Sequence, residues 1–575
     1  MERPVSECVQ QDTHSIGDFF NLIDKIYQAN LAKVTSGVSP ASLQIAWFSW
    51  FAQLAQAPGR LLKLTLYPIS YAGDGLNQIV SENLPASGRD VRFHSENWQF
   101  MPWRMFAEGF LFMEDWWRYA TQDVPGLSVR AERMVSFATR QRLDALSPAN
   151  FILTNPDLFM ETVRSAGENI VHGTNMVVKD TLDKWLGNPP AGAERFIPGK
   201  DVAITPGRVV FQNHLIELIQ YNPQTELVFK EPILMIPAWI MKYYILDLSK
   251  TNSLVNWLVS QGHTVFIVSW LNPSAEDRYL GLDDYYRLGA MAALDAVFCL
   301  IPRSKIHLMG YCLGGTLALI TAAAMARCHD KRLKSLTLLA AQGDFTDAGE
   351  LMLFINQSEV SFLENMMWEQ GYLDTKQMAG SFQMLRSYDL IWSKMIHDYL
   401  HGQDRSMIDL LAWNADATRM PYKMHSEYLE KLFLNNDFAA GRFTLENEHV
   451  VAENIHLPTF VVSTENDHVA PWKSVYKTHL MMNSDLMFVL ASGGHNAGIV
   501  SEPNHPGRSY RIFERKRGHA FLGPDDWLDI AEKRDGSWWL AWHDWLVLRS
   551  SEKRVSPPNV DETKPLAPGR YVFQK

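Results

Sequence analysis

The sequence predicts an α/β catalytic domain interrupted by a helical cap and preceded by a mainly helical region. Three observations carry that expectation. Apolar residues recur at three and four spacing through the first 200 residues. From about Asp201 short β-branched runs alternate with helical ones, and one of those runs ends in a glycine-bracketed cysteine followed at once by a small-residue helix. At roughly 100 to 200 residues per domain, 575 residues hold both regions and bury a large core without disulfide or metal staples.

In SPASLQIAWFSWFAQLAQ, Ser39 stands at the N-cap position, Pro40 suits the first helical position, and Pro58-Gly59 ends the run. WRMFAEGFLFMEDWWRYA and PDLFMETVRSAGENIVHG continue the amphipathic pattern and carry Trp103, Trp116 and Trp117. Aromatic stripes of this kind pack a core more often than they form a binding surface. RVVFQNHLIELIQY and PILMIPAWI read as early strands, and TVFIVSW, KIHLMG, LKSLTLLAA, PTFVVSTEN and DLMFVLAS as later, buried ones. Between Asp344 and about Gly441 the strand signals stop, and a Met-rich helical stretch intervenes before the last two strands. An insertion of that size is most simply a cap. The expected organisation is therefore a helical domain over 1–200 and a catalytic domain over 201–575, with the cap at about 345–440 and an extended, Pro-rich tail at about 555–575.

Fifty-three Lys and Arg against 64 Asp and Glu leave a net charge of −11, which argues against binding nucleic acid by phosphate neutralisation. The chain is 47% hydrophobic, with 19 Trp, 29 Phe and 24 Met, yet no run approaches the about 20 apolar residues that cross a bilayer. The start, MERPVSECVQQDTHS, lacks the basic and apolar regions of a secretory signal. Cys8, Cys299, Cys312 and Cys328 are too scattered for a disulfide framework, and no CxxC suggests zinc. A reducing cytoplasm fits, and no metal or organic cofactor is implied.

The sharpest local signal is KIHLMGYCLGGTLALITAAAMA, a strand, a turn Gly310-Tyr311-Cys312-Leu313-Gly314-Gly315 and a helix. This is the G-x-S-x-G nucleophile elbow with cysteine in place of serine, and it predicts an α/β-hydrolase fold. The nucleophile sits in a strained turn, and glycines around it let strand and helix approach. Cys312 then lies at a helix N-terminus, where the dipole favours thiolate. The N–H of Leu313 becomes an oxyanion donor, with a second expected from Pro237-Ala238-Trp239-Ile240, taken as Ile240. A tight turn holding a buried cysteine would leave the same local string. The elbow, however, also predicts an acid after a late strand and a histidine after the final one. Asp467 and His495 stand in those places. Because adjacent side chains point apart, His468 is expected to pack behind Asp467 instead of serving as the base. Asp247 is open between a structural strand-end acid and a contributor to the site. Trp413, Asn414, Asp416 and His425 are candidates for lining a channel in the cap.

These segments together resemble the polyhydroxyalkanoate synthases, specifically the long class I type that makes poly(3-hydroxybutyrate). The resemblance runs through GVSPASLQIAWFSWFAQLAQAPGR, LDALSPANFILTNP, PAWIMKYYILDLS, GYCLGGT, MAGSFQMLRSYDLIW, LAWNADATRMPYKMH, NDHVAPW, SGGHNAG, GSWWLAW and APGRYV, nearly end to end. It assigns the family's catalytic Cys, Asp and His to Cys312, Asp467 and His495. It departs at Asn466, where Glu is common, at Asn496, where Ile often stands, and at Glu430, where a frequent Arg and its CoA-phosphate contact do not carry over. The resemblance implies a 3-hydroxyacyl-CoA substrate, most simply 3-hydroxybutyryl-CoA, and a polyester product. It also implies a homodimer at a cytoplasmic granule surface, with the N-terminal region tied to granule association. Other readings on the same fold are a cysteine thioesterase or depolymerase; an inactive granule-coat protein is a further alternative.

Overall fold

A computed structural model describes residues 39–80, 90–375, 391–404 and 406–575, with isolated positions outside them. Most of MAGSFQMLRSYDLIW, Cys8 and the first residues of the chain lie outside the described residues. The chain divides into two compact units, the larger built around Gly192–Thr375 and Met407–Lys575, the smaller around Leu31–Ala191 and Lys376–Ser406.

The larger unit is organised on a ten-stranded sheet. Its strands are β1 (Gly207–Gln212), β2 (Ile216–Tyr221), β3 (Ile233–Ile236), β4 (Val265–Trp270), β5 (Ile306–Tyr311), β6 (Leu333–Leu339), β7 (Thr459–Thr464), β8 (Leu486–Ala491), β9 (Ser509–Arg515) and β10 (Glu532–Asp535), in the order β1-β2-β4-β3-β5-β6-β7-β8-β9-β10. The six strands from β4 to β8 in that order pair in parallel, and antiparallel strands flank them on both sides. This is the α/β-hydrolase arrangement. Strands β2 to β5 and β7 are buried at every position, as expected of strands covered on both faces. Helix Leu313–Arg327 follows β5 directly and is buried from Leu313 to Met325, because its Ala, Gly and Thr side chains let it lie close on the sheet.

Two strands follow the histidine that sequence reasoning places after the final one. β9 alternates buried Tyr510 and Ile512 with the half-buried Ser509, Arg511 and Phe513, and β10 is Glu-Lys-Arg-Asp, exposed throughout. Neither shows the buried apolar run by which the central strands are recognised. The stretch between β6 and β7 is mostly helical among the described residues. It also holds two minimal ladders, Tyr372–Leu373 with Met420–Pro421 and Thr444–Leu445 with Glu448–His449. The tail is largely irregular, tied at Val555 to Val228 and at Leu566 to Arg208.

In the smaller unit, Pro40 opens the helix Pro40–Ala55. Ser39 occupies the N-cap without a side-chain capping bond, and Pro58 begins the next helix, Pro58–Val80. PDLFMETVRSAGENIVHG is two helices, Pro156–Arg164 and Glu168–Leu186, broken where Ala166 and Gly167 take left-handed φ. The tryptophans are largely internal. Trp50 donates to the Ala120 carbonyl (2.9 Å) and Trp116 to that of Leu64 (3.1 Å), while Trp117 packs with both clusters around them. The opposite faces of the first two helices leave Phe48, Phe51 and Ile69 largely in solvent, at 74%, 65% and 70% exposure. Among the described residues no helix is long and apolar enough to cross a membrane.

Burial in the larger unit sets a pH limit. His307, on β5, lies 2.7 Å from Ser335 Oγ, and burial pushes its imidazole down to about 4; burial does the same to His425, to about 4, and His479, to about 3. Each folded value lies below the ordinary 6.5, so between the two the unfolded chain holds more protons and stability rises with pH. Acidification from pH 6.5 towards 4 should therefore cost about 1.4 kcal/mol per pH unit per histidine until the folded value is reached. Urea midpoints at pH 7, 6 and 5 check this, and a flat profile overturns it.

Candidate active site

The centre of the site is a backbone conformation. Cys312 sits at φ 53°, ψ −123°, outside the ordinary regions for a residue with a side chain. Its N–H is fixed by the Leu339 carbonyl (2.9 Å), and its carbonyl accepts from Gly315 and Thr316. A side chain on Gly310 would start 2.4 Å from the Gly314 carbonyl oxygen. One on Gly314 would start 2.1 Å from the carbonyl oxygen of Ile236. The glycines are thus forced by backbone-to-backbone contact, which places the helix N-terminus against the end of β3 and the loop that follows it. Leu313, the first helical residue, carries one of the N–H groups that helix geometry leaves without an intrahelical acceptor.

The three residues expected to act together meet. His495 Nδ1 lies 2.7 Å from Asp467 Oδ2, and Cys312 is close enough to the imidazole for its charge to act on it. Asp467 is anchored on every side. Oδ1 accepts from the backbone of Val469 (2.9 Å) and Ala470 (2.8 Å), and Oδ2 accepts from Thr464 Oγ1 (3.4 Å) as well as from His495. Burial works against charge on both members. Even so, Asp467 and Cys312 lift His495 well above the ordinary histidine range, and His495 with the two backbone N–H groups holds Asp467 below the usual carboxylate value. With Nδ1 turned to Asp467, Nε2 faces the thiol.

The remaining candidates fall into different places. Ile240 is in the loop after β3, its carbonyl accepting from Thr418 N (3.0 Å). Trp413 and Asp416 bond to that loop and its continuation: Trp413 Nε1 to the Lys242 carbonyl (2.7 Å), and Tyr244 OH to Asp416 Oδ2 (2.8 Å). Asn414 is exposed. Asp247 is fully buried among Thr205, Ser253 and Tyr221, which hydrogen-bond it, while burial raises its carboxyl. It belongs to the core around β2. His468 is half buried beside Asp467, its carbonyl packed on Gly349. His425 is buried, its ring 6.4 Å from that of Tyr428.

Several residues of the site carry no sequence signal of their own. Tyr428 is close enough to Cys312 that the thiol's charge, after burial, raises its phenol; it packs with Phe345 and Phe433. Lys242 is buried, pushed down to about 8 by burial, and donates to the carbonyls of Tyr571 (3.2 Å) and Gln574 (2.8 Å). Tyr311 ends β5 immediately before Cys312 and donates its hydroxyl to Asn496 Oδ1 (2.6 Å). Among the described residues no cluster of His, Cys, Asp and Glu could hold a metal ion.

The sequence model described as Poly-beta-hydroxybutyrate polymerase (PhaC) N-terminus matches residues 89–258, that described as Poly-beta-hydroxybutyrate polymerase N terminal matches 18–60, and that described as alpha/beta hydrolase fold matches 231–502. The Poly(3-hydroxyalkanoate) polymerase of Methylorubrum extorquens is 39% identical over 495 residues, covering 84% of this chain and 81% of that protein. The Poly(3-hydroxyalkanoate) polymerase subunit PhaC of Cupriavidus necator is 34% identical over 497 residues, covering 84% and 83%. Of solved structures, Paleococcus ferrophilus monoacylglycerol lipase aligns with a TM-score of 0.32 at 12% identity, over 58% of this chain and 99% of that one.

Proposed function

Because this chain belongs to the poly(3-hydroxyalkanoate) polymerase family, and so is a transferase that polymerises hydroxyacyl-CoA, we propose that Cys312 carries the acyl group as a thioester, with His495 as base and Asp467 as its orienting partner. The observation that carries this reading is the Cys312–His495–Asp467 relay on a strained elbow. A thiol nucleophile exchanges one thioester for another, so the acyl group keeps its activation, whereas an oxygen ester on serine would be less reactive. His495 Nε2 takes the thiol proton as sulfur attacks the CoA thioester carbonyl. The N–H groups of Leu313 and Ile240 stabilise the oxyanion, and CoA leaves as the thiol with that proton.

The 3-hydroxyl of a bound acyl unit or growing chain then gives its proton to His495 and attacks the acyl-enzyme. A new ester forms, and Cys312 leaves with the proton. Both carboxylate oxygens of Asp467 are already engaged by backbone N–H groups, Thr464 and His495, which favours orientation of the imidazole over direct work on the hydroxyl. Tyr428, Phe345 and Phe433 form an apolar cluster beside the thiol that fits exclusion of water from the acyl-enzyme. We expect 3-hydroxybutyryl-CoA as the monomer, no cofactor, and a homodimer working at a cytoplasmic granule surface. The solvent-facing Phe48, Phe51 and Ile69 supply apolar area suited to that surface.

Purified protein given 3-hydroxybutyryl-CoA should release CoA and become turbid with polyester, and rapid quenching should find the acyl mass on the Cys312 peptide. CoA release without insoluble product, or an acyl group on another residue, overturns this.

A further inference from the structure

We propose that Tyr311 and Asn496 form a tether that positions His495 against Cys312. Asn496 is thereby a positioning residue for acyl transfer, an inference that rests on the triad reading above. The two residues flank the reacting pair: Tyr311 precedes Cys312 and Asn496 follows His495. The Tyr311 side chain is 2% exposed, its hydroxyl donates to Asn496 Oδ1 at 2.6 Å, and its ring stands 5.8 Å from the His495 imidazole at 33°. Between strand end and histidine loop there are thus two adjacent crossings, Cys312 to His495 and Tyr311 to Asn496.

The second crossing is needed on the loop side. His495 follows Gly493, at φ 107°, and Gly494, so the segment leaving β8 has little conformational preference of its own. Around the histidine the chain turns: the Gly494 carbonyl accepts from Gly498 (2.8 Å), and that of Asn496 from Ile499 (3.1 Å) and Val500 (3.0 Å). Asn496 lies within that turn, and its side chain is held by Tyr311, the last residue of a fully buried central strand. A buried phenol keeps its hydrogen bond because the alternative is an unpaired polar group. The bond fixes one end of the histidine loop at hydrogen-bond tolerance, while Asp467 sets the ring's rotation through Nδ1.

The test is a double-mutant cycle with Tyr311→Phe, Asn496→Ala and the double variant. It reads kcat and KM with 3-hydroxybutyryl-CoA, and the pH dependence of iodoacetamide alkylation of Cys312. Each single variant should lower kcat about tenfold with KM unchanged and displace the pH midpoint of alkylation. The double variant should be no worse than either single, because all three remove the same bond. Losses that multiply in the double variant, unchanged kcat, or lower thermal stability with an unmoved alkylation profile overturn the tether. His495→Ala is run in parallel. If it retains activity the triad reading itself has failed, whereas an inactive His495→Ala with silent Tyr311 and Asn496 variants removes the tether alone.

Discussion

Cys312→Ala is expected to reduce CoA release from 3-hydroxybutyryl-CoA by at least about 10⁴-fold, the scale on which loss of a covalent nucleophile acts. The variant should fold. Cys312 and alanine carry the same steric burden at φ 53°, and the contacts that fix the elbow are made by backbone: its N–H to Leu339 and its carbonyl to Gly315 and Thr316. What disappears is the sulfur that faces His495. The oxyanion N–H groups and the buried histidine would remain, so whatever activity survives measures how far they can assist another nucleophile. Coupled measurement of free CoA and circular dichroism decides the matter. A well-folded variant that releases CoA within a hundredfold of the parent ends the covalent mechanism.

Asp467→Asn should cost about 10⁴-fold in kcat, because it leaves the carbonyl end able to accept from Val469 and Ala470 while presenting an amide NH₂ to His495 Nδ1. The imidazole then carries its proton on Nε2, pointing a donor at the thiol that has to lose one. A stability consequence accompanies it, with a definite sign. His495 is raised above its ordinary value, so the pair's contribution is present below that value and lost as pH rises through the folded one. Asp467 is lowered, so its share is lost as pH falls through its own folded value. The variant should therefore lose most stability between about pH 4 and pH 6.5, and differ less from the parent in strong acid and at alkaline pH. Pre-steady-state acylation rates together with denaturation at about pH 5.5 and pH 9 test both halves. Near-parental acylation would remove Asp467 from the mechanism.

Cys312, Asp467 and His495 are legible in the sequence because backbone geometry restricts what can surround them. An elbow needs Gly310, Gly314 and Gly315, and a parallel sheet delivers its chemistry at the ends of strands whose apolar runs are visible without a structure. β9 and β10 hide because the partly solvated margin of a sheet needs no such run. The break at Ala166 and Gly167 hides because one left-handed step ends a helix whose apolar period continues on either side of it. Trp413 and Asp416 are channel candidates in sequence, but their bonds to the loop bearing Lys242 and Tyr244 have no sequence signal. Pairings across hundreds of positions leave no periodic trace. Tyr311 and Asn496 are conspicuous only once the strand end and the loop are placed together.

Lys242 makes one of those long pairings, to the carbonyls of Tyr571 and Gln574, and Asn272 makes another to Gln574. On the ribosome, the loop that holds Ile240 is made more than 300 residues before the segment that ties it down. Translation therefore imposes an order of assembly. The elbow and the sheet, which reaches Asp535, are made before the anchors of the loop at Tyr571 and Gln574. Changes around Tyr571 and Gln574 therefore reach the loop that holds Ile240 without touching the elbow.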